Sequence, residues 1–173
     1  MRARRGRGRG AASRGAGETG RLLVGVVSDT HGLVRPEALA ALAGVGLILH
    51  AGDVGGAHVL EELGRVAPVV AVRGNNDRGA WAGALPARAS ANLGRLSAYV
   101  LHDLKELDLD PAEAGFRVVV SGHSHKPSAE ERGGVLYLNP GSAGPRRFRL
   151  PVSVALLRVS GPDAAAEIVL LDV

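Results

Sequence analysis

There is no cysteine among the 173 residues. Disulfides, a thiolate zinc site and a cysteine nucleophile are excluded, and the expected compartment is the cytoplasm. No apolar run approaches the roughly 20 residues of a membrane span, so no membrane partner is expected. Lysine is nearly absent: 19 of the 21 basic residues are arginine, a usage that fits a genome rich in G and C.

The formal net charge of +4 misrepresents the body of the chain. Residues 1–20, MRARRGRGRGAASRGAGETG, hold six arginines and one glutamate. Without them the 21 basic residues fall to 15 and the 17 acidic ones to 16, a net of −1. An Arg-Gly stretch suits a nucleic-acid arm, an Arg-rich transit peptide, or a low-complexity extension read from a start codon set too far upstream. It has no apolar core of a secretory signal and no aromatic to stack on bases. We read residues 1–20 as a disordered Arg/Gly-rich tail, residues 21–173 as one domain, and expect no nucleic-acid partner. A chain of this length can bury about 68–70% of its unfolded surface and needs no staples.

Residues 21–28 are a continuous apolar run, the pattern of a strand buried on both faces. A helix follows at 36–44, with Pro36 at its first position and Gly44 at its end. A strand at 45–50, a helix at 57–64 and a strand at 68–74 complete a β-α-β-α-β order, which predicts a parallel sheet. Residues 87–102 read as a hairpin and 103–115 as a short helical connection. Strands at 116–122 and 133–142 and a terminal hairpin over 151–173, turning at Gly161-Pro162-Asp163, predict a mostly antiparallel second half.

Each core strand ends in a polar cluster: Asp29-Thr30-His31-Gly32, Gly52-Asp53, Gly74-Asn75-Asn76-Asp77, His102-Asp103 and Gly122-His123-Ser124-His125. That edge of an open α/β sheet is where ligands bind. Carboxylate, imidazole and carboxamide are the donors of nitrogen- and oxygen-bound divalent metals. In extended backbone, i and i+2 share a face, which pairs Asp29 with His31 and His123 with His125. Two such pairs meeting at one edge would hold two ions about 3.5–4 Å apart, with His123 and His125 on different ions. Singly the motifs have plainer readings: Asp53 as a helix cap, residues 75–77 as a turn.

In this order, SDTHG, HAGD, GNND, SGHSH and LNPGS resemble the calcineurin-like metallophosphoesterases, in particular their small single-domain phosphodiesterase branch. The likeness spans residues 22–173. It implies an α/β fold of mixed α+β character, with two packed mixed β-sheets flanked by helices. It implies one metal on Asp29, His31 and His125, a second on Asn75, His102 and His123, and Asp53 bridging both. The implied activity is phosphoester hydrolysis, and phosphodiester hydrolysis in particular, by a hydroxide shared between two divalent cations. Mn²⁺ suits these ligands best, with Zn²⁺, Fe²⁺, Co²⁺ or Ni²⁺ as alternatives. The substrate would be a small phosphodiester or phosphoester, and a homo-oligomer stays open.

Two positions depart from the family pattern. Asn76 stands where a histidine usually protonates the leaving group, and Asp103 stands where relatives often have glycine. We therefore assign no side chain as catalytic and place Asn76 and Asp77 near the leaving group. Asp77 and Asp103 are expected to orient histidines or waters, and His50 and Asp77 are the reserve proton sources. His50 otherwise reads as a core or supporting histidine, His58 as a helix-surface residue, and Asn139–Ser142 as a turn under the site. Some family members act as interaction scaffolds, which is the alternative function. The chain carries no insertion long enough for a cap, so the site is expected to be open.

Overall fold

The computed structural model describes residues 20–173. The expectation of a disordered tail falls on residues 1–19, outside the described residues. Strands β1 (Arg21–Val27), β2 (Leu47–His50) and β3 (Val69–Ala71) alternate with helices α1 (Pro36–Ala41) and α2 (Ala57–Gly64). Strands β4 (Arg88–Asn92), β5 (Ser97–Leu101), β6 (Val118–Val120), β7 (Ser128–Arg132) and β8 (Val135–Asn139) follow a short helix α3 (Ala80–Gly83). The chain closes with the hairpin β9 (Ser153–Ser160) and β10 (Asp163–Leu170). Among the described residues no helix is long and apolar enough to cross a membrane.

Two five-stranded sheets result, in the orders β10-β9-β1-β2-β3 and β4-β5-β6-β8-β7. The first has the expected parallel trio β1, β2, β3, extended antiparallel by β9 and β10. In the second, β6 runs parallel to both β5 and β8. The other pairings of the second half, β4 with β5, β7 with β8 and β9 with β10, are antiparallel, so the half is mostly antiparallel as expected, with β6 as the parallel centre of its sheet. The long crossover at residues 102–117 returns the chain to the start of a neighbouring strand, as parallel pairing requires.

Strand alternation distributes the core. Val24 and Val26 of β1 meet Val100, Val118, Val120 and Leu138 between the sheets. Val27 and Ile48 face the other way, against Ala38 and Leu42 of α1 and Val59 and Leu63 of α2. A β-carbon at Gly25 would come within 2.5 Å of Leu42 Cδ2, so glycine there lets α1 lie close on the sheet.

The expected helical connection at 103–115 is a single 3₁₀ turn, Leu104–Glu106. Leu104, Leu107, Leu109 and Phe116 cover Tyr99, Leu101, Val119 and Val135 instead, and Leu107 and Leu109 do so at strand spacing. Strand β7 escaped the sequence reading because all five residues, SAEER, are exposed and show no alternation. Its charges suit an unpaired sheet edge.

Candidate metal centre

The parallel strands β1, β2, β3 and β5, β6, β8 all end at one edge of the sandwich, and every candidate residue lies on the loops leaving them. The loops are bonded to each other by backbone. Asp29 N–H donates to Gly52 O, His31 N–H to Asp53 O, and Gly122 N–H to His102 O, at 3.0, 3.0 and 2.9 Å.

Asp29, His31, Asp53, His123 and His125 all have φ between 47° and 68°. The extended-backbone argument for pairing i with i+2 is therefore incorrect, although the pairs it named do converge. Left-handed backbone at a non-glycine residue costs roughly 1–3 kcal/mol and survives only where the surroundings impose it. Among the described residues Phe148 is the one other non-glycine in this region. Strain is thus concentrated in the candidate residues.

In the first group Asp29 is fully buried. Its Oδ2 accepts from Ser28 Oγ at 2.7 Å and from the His123 backbone at 3.0 Å. Its Oδ1 faces His125 Nε2 at 3.3 Å and His31 Nε2 at 3.9 Å. Asp29 Oδ1, His31 Nε2 and His125 Nδ1 are buried with no hydrogen-bond partner.

In the second group His102 Nδ1 lies 2.7 Å from Ala51 O, so it carries the proton and Nε2 offers its lone pair to the site. His123 Nδ1 lies 3.3 Å from that nitrogen and 3.2 Å from Asn75 Oδ1. Asp53 Oδ2 is 3.4 Å from His102 Nε2 and 3.8 Å from His31 Nε2, which puts Asp53 between the groups. Asp29 Oδ1 also comes within 4.0 Å of His102 Nε2, a proximity the sequence reading did not anticipate.

Burial alone would raise the Asp53 carboxyl. Hydrogen bonds from His102 and from the backbone and carboxamide of Asn76 outweigh it and hold the pKa well below the carboxylate range. Burial likewise works against a charged His102, but its bonds to Asp53 and Ala51 O prevail and raise it. Burial lowers His125, with the Asp29 charge opposing.

His50 is fully buried and its pKa falls to about 3, chiefly through burial. Thr30 Oγ1 donates to Val54 O and therefore accepts from His50 Nε2, while His50 Nδ1 accepts from Gly52 N–H. His50 is a neutral post between two site loops, which removes it as a proton source. Asp77, expected near the leaving group, has both oxygens occupied by Val54, Gly55 and Gly74 N–H groups and so pins three loop positions together. Asn76 is turned onto Asp53, donating from its backbone at 2.8 Å and its carboxamide at 2.7 Å. Asp103 Oδ2 lies 3.7 Å from His123 Nε2. His58 bonds Gly32 O from the helix surface.

The Asn139–Ser142 turn supports the site. The Asn139 carboxamide donates to Gly122 O and Ser124 Oγ, and Ser142 Oγ donates to Asp29 O at 3.0 Å. Sequence reasoning missed Ser28 and Thr30, whose signal was only their adjacency to Asp29. It also missed Gly122, where a β-carbon would overlap Ser28 Oγ and approach Asp29 Oδ2 to 2.8 Å.

The buried carboxylates and the imidazoles gathered at the strand ends of this double mixed sheet make a candidate metal-binding cluster. The model of the calcineurin-like phosphoesterase superfamily domain matches residues 22–161, and the chain belongs to that family. It is 38% identical over 159 residues to a probable metallophosphoesterase of Methanothermobacter thermautotrophicus, covering 86% of this chain and 92% of that protein. Its fold is similar to a structure described as a novel archaeal phosphodiesterase, with a TM-score of 0.71 at 22% identity, covering 86% of this chain and all of that one. It is also similar to Vacuolar Protein Sorting 29 from Cryptosporidium parvum, with a TM-score of 0.72 at 19% identity, covering 88% and 99%.

Proposed function

We propose that residues 21–173 form the catalytic domain of a binuclear-metal phosphodiesterase. In this reading Asp29, His31 and His125 hold one divalent cation, Asn75, His102 and His123 hold a second, and Asp53 spans them. The observation that carries it is the convergence of Asp29, His31 and His125, one ligand atom from each lying within 4.8 Å of the others, with Asp29 Oδ1 and His31 Nε2 buried and without hydrogen-bond partners. Each such atom costs about 1–3 kcal/mol, and a cation removes that cost. Oxygen and imidazole donors without thiolate suit Mn²⁺, with Zn²⁺, Fe²⁺, Co²⁺ and Ni²⁺ as the alternatives.

When bound, two cations supply Lewis acidity towards phosphoryl oxygens and a water acidic enough to attack phosphorus. The protein's own part is to hold Asp53 ionised through the backbone and carboxamide of Asn76, and to fix the His102 tautomer on Ala51 O. Asn76 can give a hydrogen bond but not a proton, so the leaving oxygen departs as an anion or is protonated by water. The half-exposed His123 supports an open site that takes small phosphodiesters. The full set of candidate ligands, Asp29, His31, Asp53, Asn75, His102, His123 and His125, favours an enzyme over an interaction scaffold with weakened or absent catalysis.

The test is hydrolysis of bis(p-nitrophenyl) phosphate and p-nitrophenyl phosphate after chelation and reconstitution with each metal in turn. The reading expects no activity without metal, restoration by Mn²⁺, and preference for the diester. Hydrolysis that chelation leaves intact, or none with any of the five metals, would overturn it.

A further inference from the structure

A cavity of about 580 Å³ opens beside His123, on the outer side of the second sheet. Its buried floor is Ser121, Gly122, Leu138 and Asn139, and its walls include Leu104 and Tyr137. Lys105, Ser128, Glu130 and Arg132 stand exposed around it. The volume falls in the range of small-molecule sites, about 300–1,000 Å³.

Three features narrow what fits. The Arg132 guanidinium lies over the Tyr137 ring, 4.5 Å from its centroid. That is a ready planar stack which another π-system can extend. Two carboxylates, Asp103 and Glu130, offset the two cations Lys105 and Arg132. The balance gives a second phosphate or carboxylate no net attraction. The Ser121 and Ser128 hydroxyls can each donate and accept, which matches a ring edge carrying both kinds of group.

We propose that this cavity is the subsite for the group retained on phosphorus, and that it takes an uncharged, planar heteroaromatic group of nucleoside size. The proposal rests on the phosphodiesterase reading for its orientation: His123 belongs both to the candidate centre and to the cavity wall, so a phosphorus held at the centre directs one substituent here. The cavity itself does not depend on that reading.

The first measurement needs no metal. Thymidine is titrated into the ¹⁵N-labelled, chelator-treated full chain and into its Ser128→Trp variant. Ser128 is an exposed edge-strand residue, where an indole can plug the opening without entering the core. The proposal expects saturable shifts at the amides of Leu104, Ser128 and Tyr137, absent with methyl riboside and at least ten-fold weaker in the variant. Shifts absent from those amides, or equal in the variant, would overturn it.

The second measurement compares the Mn²⁺-loaded enzyme on thymidine 5′-(p-nitrophenyl phosphate) and methyl p-nitrophenyl phosphate, which share a leaving group. The kcat/KM ratio should exceed about ten in the parent, mainly through KM, and fall towards one in Ser128→Trp. A ratio near one in the parent overturns the subsite. Thymidine binding at the cavity with no hydrolysis of either ester would overturn the phosphodiesterase reading and leave the cavity standing as a heteroaromatic binding site only.

Discussion

Asn76 grips both oxygens of Asp53, its backbone N–H donating to Oδ1 at 2.8 Å and its carboxamide to Oδ2 at 2.7 Å. The residue that takes the place of a proton donor thus serves to keep a carboxylate ionised between two groups of imidazoles. That trade has a kinetic consequence. A general acid typically contributes about 10²–10⁴-fold, and asparagine cannot supply it. A plot of log kcat/KM against leaving-group pKa should fall steeply from aryl to alkyl diesters, and Asn76→His should flatten it by raising the alkyl rates. A flat plot for the parent enzyme would mean that another residue delivers the proton.

Asp53 and Asp29 both come within 4.0 Å of His31 and His102, but Asp53 lies closer to each and is held there by Asn76. Asp53→Asn removes the charge and keeps the shape. Calorimetric titration should show both Mn²⁺ equivalents lost or weakened at least 100-fold, with activity falling about 10³-fold. Two intact binding events at parental activity would reject its spanning role.

Acid should destabilise the metal-free protein through His50. Its folded pKa of about 3 lies below the ordinary 6.5. Above pH 6.5 the group is neutral folded and unfolded, and its full contribution to stability is present. As pH falls from 6.5 towards 3, the unfolded chain binds a proton that the folded chain refuses. The loss runs at up to ~1.4 kcal/mol per pH unit. Urea unfolding of chelator-treated protein between pH 7 and 5 should show this loss, and His50→Gln should reduce its slope. An unchanged slope would assign the acid sensitivity to other groups.

Gly122→Ala puts a β-carbon onto Ser28 Oγ, beside Asp29. Overpacking of this kind costs about 1–3 kcal/mol, and here it also displaces a site loop. Thermal unfolding should register the loss together with weaker Mn²⁺ binding. Gly83→Ala meets nothing within 4 Å and should leave both unchanged. A neutral Gly122→Ala would show that the loop has more room than the structure gives it.

What the sequence made legible follows the physics of each signal. The buried parallel strands β1, β2 and β3 are continuous apolar runs and stand out, as do the polar clusters ending them. The exposed edge strand β7 has no apolar period to find, and the parallel placement of β6 depends on a crossover that local patterning does not encode. At the site, Asp29, His31, His123 and His125 were named by residue type and spacing, yet their left-handed backbone was invisible. His50 is the core histidine the sequence suggested, but only the fold reveals that burial and Thr30 keep it neutral, and that backbone N–H groups occupy the Asp77 carboxylate.

The central claim is a centre of two cations, and anomalous scattering from a Mn²⁺-soaked crystal addresses it most directly. The account predicts two peaks about 3.5–4 Å apart. One should lie within bonding distance of Asp29, His31 and His125, the other of Asn75, His102 and His123, with Asp53 touching both. A single peak, or two peaks away from these side chains, would contradict it.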